Sequence, residues 1–320
     1  MKNSIVKFII LLSVVITAFV FFISCNNNDT GKTTGKPADK AMIERGKYLA
    51  NNVCGCIDCH SQRDYNKFSG LIVPGTEGMG GEVFNEIYSI PGVVFARNIT
   101  PDTTHGIGKW TDEEIARAIT RGINRKGDTL YTIMPYRHYN QMSKDDIYSI
   151  IAYLHTLKPN SNKVTDRLLT IPMNTVYPEL KSASLEKNEN PDTSNLIGYG
   201  AYIVNSAACI DCHTPMENGK YVMSKAFSGG FTFNMGSFKA SSGNITPDST
   251  TGIGKWTEEM FLEKFKTCRD PAKYTSNPGK NNSIMPWSLF SNMADHDIKA
   301  IYAYLRTVTP VKNLVEKYPK

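Results

Sequence analysis

The sequence has little excess charge of either sign. Its 36 Lys and Arg stand against 30 Asp and Glu, a net +6 over 320 residues, without a basic cluster. That is a weak field for a polyanion, so nucleic acid is not an expected partner. Long apolar runs are scarce as well. Beyond residue 23 no stretch reaches 18 apolar residues, so nothing in the body of the chain is long enough to span a bilayer. Strand-like alternation of apolar and polar residues is rare, which points away from a β architecture. An even set of cysteines is missing too. The seven, Cys25, Cys54, Cys56, Cys59, Cys209, Cys212 and Cys268, exclude a pure disulfide framework.

The one long apolar run lies at the N-terminus. Lys2 and Lys7 flank the start of residues 8–23, which suits the apolar region of an export signal. The run ends in Phe22-Ile23-Ser24-Cys25, which resembles a lipobox with Phe22 where Leu is usual. The expectation is a signal peptide over 1–24 and a mature chain that starts at a lipid-anchored Cys25. An uncleaved anchor helix and ordinary signal cleavage nearby are the alternatives. Residues 25–40 are polar and poor in large apolar groups, as in a flexible tether. The body is then exported and held as a membrane-anchored lipoprotein on the periplasmic side.

The rest of the chain contains itself twice. Cys56-Ile57-Asp58-Cys59-His60 recurs as Cys209-Ile210-Asp211-Cys212-His213. Phe68-Ser69-Gly70 recurs as Phe227-Ser228-Gly229, and Asn98-Ile99-Thr100-Pro101-Asp102 as Asn244-Ile245-Thr246-Pro247-Asp248. Residues 106–111 match 252–257, and Ile133-Met134-Pro135 matches Ile284-Met285-Pro286. This order predicts two homologous domains, 41–158 and 196–320, joined by residues 159–195. Leu168, Leu169, Ile171 and Val176 in the connection predict that it packs along a domain. The patterns predict an all-α fold. A helix over 44–53 should lead into the first cysteine cluster. Thr111 and Glu114 form a capping box for a helix that Gly122 stops. Ile147, Ile150, Ile151 and Leu154 have helical spacing, as do Ile298, Ile301, Tyr302 and Leu305.

C-x-x-C-H is the attachment pattern of haem c: two thiols add to the vinyl groups and the His becomes an axial iron ligand. A structural zinc site needs four ligands, and a thioredoxin-like pair needs a βαβ setting; neither is evident here. The first cluster is ambiguous, because Cys54 and Cys59 also read C-x4-C-H. Ala207 stands where Cys54 does in the repeat, which assigns Cys56 and Cys59 to one haem and Cys209 and Cys212 to the other. Cys54 and Cys268 are left over, and a disulfide between them stays open. His60 and His213 are the expected proximal ligands. Met134 and Met285, in recurring Ile-Met-Pro loops, are the expected sixth ligands, with Met142 and Met293 as competitors. His105, His138, His155 and His296 do not recur and read as surface residues. Trp110 and Trp256 read equally as donors to haem propionates or as core aromatics, and Arg97 is a weaker propionate partner.

Both halves resemble class I cytochrome c domains. More closely, they are similar to the multihaem cytochrome c subunit of membrane-bound alcohol and gluconate dehydrogenases. Residues 98–102 and 106–114, and Leu130-Tyr131-Thr132-Ile133-Met134-Pro135-Tyr136, carry the resemblance. It implies two tandem all-α domains, each wrapped around one covalent haem. Those subunits carry three haem domains where this chain has two. The function implied is not catalysis but single-electron transfer. The donor would be a dehydrogenase or quinol-oxidising complex, and the acceptor an oxidase or soluble cytochrome. Cys268 and His138 leave a dihaem peroxidase or thiosulfate-oxidising cytochrome as the alternative.

Overall fold

The computed structural model of the chain describes residues 39–176, 188–217 and 219–319. The signal segment, Cys25 and the tether as far as residue 38 lie outside the described residues. The last two residues assigned to the tether belong to the fold instead. Asp39 caps helix α1 (Lys40–Tyr48), accepting from the Met42 N–H at 2.8 Å. The helix expected over 44–53 changes pitch at its end, where Leu49–Val53 is a π-helical turn. The cause is one extra residue. Gly46-Lys47-Tyr48-Leu49 corresponds to Gly200-Ala201-Tyr202-Ile203, but Gly46 lies one residue farther from Cys56 than Gly200 does from Cys209. A π turn absorbs such an insertion without ending the helix.

Helix α2 (Cys56–Cys59) follows. Strands β1 (Arg63–Asp64) and β2 (Leu71–Ile72) then pair as a hairpin. β3 (Val83–Phe84), β4 (Gly92–Phe95) and β5 (Leu168–Leu169) form an antiparallel sheet in that order. Helix α3 (Asp112–Arg121) starts in the expected Thr111–Glu114 capping box and stops at a left-handed Gly122. Short α4 (Tyr136–Tyr139) precedes α5 (Lys144–Leu154). The second half repeats this order. It contains α6 (Leu196–Ser206), α7 (Cys209–His213), the pairs β6 (Met216–Glu217) with β7 (Lys220–Tyr221) and β8 (Thr232–Asn234) with β9 (Lys239–Ser241), α8 (Glu258–Lys266), α9 (Trp287–Phe290) and α10 (Asp295–Leu305).

The fold is helix-rich but not all-α. Its strands are two to four residues long, too short to show an alternating pattern in sequence. β5 comes from the 159–195 connection, so that part of it does run along the first half.

One sequence match in the repeat is out of register. Gly229 N–H donates to the His213 carbonyl and Gly230 N–H to the Ser242 carbonyl. In the first half the same bonds are made by Gly80, to His60, and Gly81, to Ala96. Phe227-Ser228-Gly229 therefore corresponds in space to Gly78-Met79-Gly80. Phe68-Ser69-Gly70 lies elsewhere, in the loop of the β1–β2 hairpin.

In each half the first and last helices cross at a glycine. A Cβ on Gly46 would overlap the Ser149 carbonyl, and one on Gly200 the Ala300 carbonyl. Around these crossings Leu49, Ile147, Ile150 and Ile151 are buried in the first half, and Ile203, Ile298 and Leu305 in the second. Each such side chain stabilises the fold by about 1.5–3 kcal/mol. The halves also exchange hydrogen bonds. Tyr202 Oη donates to Asp146 at 2.6 Å, and Tyr48 Oη donates to Asp297 at 2.7 Å.

Gly46→Ala and Gly200→Ala should each destabilise the protein by about 2–3 kcal/mol in urea unfolding. Helix propensity alone would favour Ala by ~1 kcal/mol. A stabilised variant would therefore show that the backbones do not touch at these points.

Candidate functional site

The two thiols and the imidazole of each motif are arranged alike in both halves. Cys56 and Cys59 are three residues apart on the single turn of α2, so they leave the helix on one side, and His60 follows at its end. Cys209, Cys212 and His213 do the same on α7. A left-handed residue starts each turn, Gly55 (φ 64°) in the first half and Ala208 (φ 50°) in the second. Cys54 precedes that bend and lies off the turn. Its Sγ is 3.8 Å from the Met142 sulfur, and its carbonyl accepts from Tyr139 Oη at 2.8 Å. Both Cys54 and Cys268 are free thiols, so the disulfide left open between them is not formed.

One hydrogen bond orients each imidazole. His60 Nδ1 lies 2.6 Å from the Arg97 carbonyl, and His213 Nδ1 lies 2.7 Å from the Gly243 carbonyl. A carbonyl only accepts, so Nδ1 bears the proton and Nε2 keeps its lone pair. Burial pushes both imidazoles below the ordinary histidine pKa, which keeps them neutral. This is the state that binds a metal, with the distal nitrogen tied down by a second bond.

The accepting carbonyl is itself fixed by the Asn-Ile-Thr-Pro-Asp loop that follows it. Asn98 Oδ1 accepts from the Thr100 N–H and hydroxyl, and its amide donates to the Asn160 and Asn162 carbonyls beyond α5. Asn244 repeats this with Thr246 and the Val311 carbonyl beyond α10. Arg97 contributes its backbone, because its side chain turns outward to Asp166 and the Thr165 carbonyl.

Burial pushes the thiols of Cys56, Cys59, Cys209 and Cys212 up to about 12. They are protonated at neutral pH, unlike the low-pKa pair of a disulfide oxidoreductase. Among the described residues no group of three or more His, Cys, Asp or Glu side chains is placed to hold a metal ion. A zinc reading of the motifs therefore lacks its other ligands.

A single cavity of about 1220 Å³ reaches both motifs. Cys59, Tyr131 and Ile133 line it from the first half, and Cys212, His213 and Met285 from the second. That volume exceeds the roughly 300–1,000 Å³ of an ordinary small-molecule site. Cys56, His60 and Met134 are not on its wall, whereas Cys54 and Met293 are. Phe233, Phe261 and Trp256 add apolar surface to it, and Trp110 packs against the core. The four candidate methionines fall into two kinds. Met142 and Met293 are 0% and 2% exposed in the core, whereas Met134 and Met285 are half-buried in loops. The carbonyl of each loop methionine accepts at 2.8 Å from the N–H two residues on, that of Tyr136 or Trp287. The chemistry of this donor set suits haem c: paired thiols on one turn, an imidazole with a bare Nε2, a loop thioether and an apolar cavity.

His138 departs from the surface role expected of it. Its Nδ1 lies 2.9 Å from Asn205 Oδ1, and its Nε2 lies 3.0 Å from Asp211, the aspartate inside the second motif. Burial lowers the pKa of this imidazole, but the bond to Asp211 outweighs that and raises it. The first motif's Asp58 pairs instead with Arg63 at 2.8 Å. Burial pushes the Asp58 carboxyl up against the pull of that guanidinium. Sequence reading missed both ion pairs, because Arg63 and His138 have no counterparts in the repeat. His155 is on the surface with Asp112, and His105 is exposed.

Asn98→Ala and Asn244→Ala remove several buried bonds apiece. Each should cost about 2–4 kcal/mol in chemical unfolding. A loss below ~1 kcal/mol would mean that the loop is held by other contacts.

The family model for cytochrome c matches residues 197–309. The alcohol dehydrogenase (quinone) cytochrome c subunit of Gluconobacter oxydans is 29% identical over 300 residues, 89% of this chain and 59% of that protein. The gluconate 2-dehydrogenase cytochrome c subunit of Pantoea cypripedii is 27% identical over 287 residues, 85% of this chain and 60% of that protein. A dihaem cytochrome c-type protein of Cereibacter sphaeroides is 26% identical over 267 residues, 81% of this chain and 83% of that protein. The chain thus spans about three fifths of the length of the two dehydrogenase subunits. It carries a cytochrome c domain and is related, over most of its length, to the cytochrome c subunits of alcohol and gluconate dehydrogenases.

Proposed function

We propose that the chain is a dihaem c-type cytochrome, built as two tandem class I domains, that passes single electrons between redox proteins. The observation that carries this reading is the pair of C-x-x-C-H turns opening onto one cavity, each with its imidazole locked by Nδ1. Cys56 and Cys59 hold one haem and Cys209 and Cys212 the other. His60 and His213 would ligate the two irons through Nε2, and Met134 and Met285 would supply the thioether ligands. When bound, haem c provides a one-electron couple at iron. The apolar cavity residues would shield it, and with a histidine and a methionine committed to each iron no position would be left for substrate.

The relatives, cytochrome c subunits of dehydrogenases, support a dehydrogenase as electron donor. The acceptor in this proposal is a downstream oxidase or soluble cytochrome. The N-terminal sequence supports export and a lipid anchor at Cys25, which would keep the carrier beside a membrane-bound donor. Among the described residues no helix is long and apolar enough to cross a membrane.

A pyridine haemochrome assay should count two haems per chain, and near-infrared magnetic circular dichroism of the oxidised protein should report His/Met ligation at both. Met134→Ala and Met285→Ala should each lower the potential of one haem and leave the other unchanged, because the thioether favours reduced iron. If neither potential responds, Met142 and Met293 take their place as candidates. High-spin or thiolate signals from one haem in the unaltered protein would favour an enzyme.

The anchor has its own test. Mass spectrometry of the membrane fraction should find a diacylated N-terminal Cys25, and Cys25→Ala should release the protein or block its processing. Two acyl chains suffice for stable attachment, since each buried CH₂ adds about 0.8 kcal/mol. An unmodified N-terminus beyond residue 25 would refute the lipid.

A further inference from the structure

The loop that carries Met285 is held by the other half of the molecule. Ser69, in the β1–β2 hairpin loop, is fully buried. Its hydroxyl donates to the Met285 carbonyl at 2.6 Å and accepts from the Trp287 N–H at 2.8 Å. Its own N–H donates to Asn282 Oδ1 at 2.9 Å, and the Asn282 amide donates back to the Tyr65 carbonyl at 2.8 Å. The two loops are therefore laced together on both sides of Met285. Ser69 also has a left-handed backbone (φ 66°), a conformation that non-glycine residues seldom adopt. Arg63 holds the hairpin loop from behind. It donates to the Ser69 and Gly70 carbonyls at 2.6 and 2.9 Å and pairs with Asp58 of the first motif. A polar chain thus runs from the first C-x-x-C-H turn to the second methionine loop. The Trp287 N–H also reaches the Met285 carbonyl at 2.8 Å, as the Tyr136 N–H reaches that of Met134 in the first half, so the Ser69 hydroxyl reinforces a turn that both loops share.

We propose that Ser69 is a positioning residue for the second haem, fixing from the first half the loop whose Met285 would ligate that iron. This rests on the reading of Met285 as an axial ligand. Without the hydroxyl, the Met285 and Trp287 backbone groups lose a shared partner, and the loop is free to move its thioether away. The first half's hairpin places residues 65–70 between its strands, and that loop reaches across to the Met285 segment.

The test uses the full chain with its haems attached and the substitution Ser69→Gly. Glycine accepts the left-handed backbone without strain, so folding is spared while the hydroxyl is lost. Imidazole is titrated into the oxidised protein, and near-infrared magnetic circular dichroism follows each haem. Met134→Ala and Met285→Ala provide the reference spectra that assign each signal. Imidazole should displace the second haem's thioether at about tenfold lower concentration in Ser69→Gly, the factor expected for the loss of ~1.4 kcal/mol, with no change at the first haem. An unchanged midpoint at the second haem would overturn the proposal. So would an equal shift at both haems, which marks general loosening. If the unaltered protein lacks a His/Met signal at the second haem, the ligand reading fails and the proposal with it. A normal signal there with an inert Ser69→Gly refutes the positioning role alone.

Discussion

The constraint on which the structure turns is the single proton on Nδ1 of each motif histidine. A histidine can bind metal through Nε2 only if that nitrogen is bare, and a carbonyl opposite Nδ1 enforces this. The carbonyls of Arg97 and Gly243 do it at 2.6 and 2.7 Å. A carbonyl in a loop is a poor anchor by itself, so the next residue, Asn98 or Asn244, pins it to the segment after the last helix. That helix crosses the first one at Gly46 or Gly200, and the first helix delivers the motif. The order of bonds closes on itself. Each half is a ring of contacts that begins and ends at the imidazole.

This ring explains which parts of the fold were legible in the sequence. The capping box at Thr111, the stop at Gly122 and the apolar spacing of Ile147, Ile150 and Ile151 all act through neighbours in the same helix. Local physics sufficed for them. The recurring Asn-Ile-Thr-Pro-Asp was visible as a motif, but its task was not, since its partners lie some sixty residues on. Gly46 and Gly200 recur too, yet a glycine at a helix crossing looks like any weak helix residue until the second helix is seen. The extra residue behind the π turn was hidden because the helix bulges to keep the motif in place. The Phe-Ser-Gly match misled for a related reason. Three short identical residues recur by chance, while the true counterparts of Phe227 and Ser228 are Gly78 and Met79. What those positions share is a left-handed backbone, φ 63° at Phe227 and 77° at Gly78, rather than side chains.

The halves agree in backbone and differ in charge. Both motif aspartates need a cationic or proton-donating partner because they sit beside buried thiols. Asp58 finds Arg63, with both side chains 7% exposed. Asp211 finds His138, whose second nitrogen is satisfied by Asn205. A guanidinium is charged at every physiological pH, whereas an imidazole can release its proton. The two motifs therefore sit in different electrostatic surroundings although their sequences are identical. Repetition set the scaffold, and the unrepeated residues made the two sites unequal.

A repeated contact, in contrast, helps explain why residues 39–320 form one compact unit and not two beads on a string. Asp146 and Asp297 stand at matching places, one turn into the last helix of each half, and both are nearly buried. Asp146 is paired with Arg45 of its own half, but its second oxygen also takes the Tyr202 hydroxyl of the other. The close partner of Asp297 is Tyr48 of the first half, whose hydroxyl also receives the Ala294 N–H at the start of α10. Burial and the neighbouring carboxylate push both phenols up, so they remain donors. A buried carboxylate left without its donor costs more than the bond itself yields, typically 1–3 kcal/mol or more for a charged group. Separating the halves would leave Asp146 with Arg45 alone and take from Asp297 its short hydroxyl bond. Two tyrosines, each donating to the helix of the half to which it does not belong, thus act with the bonds of Ser69, Asn282 and His138 to bind the repeat into a single body.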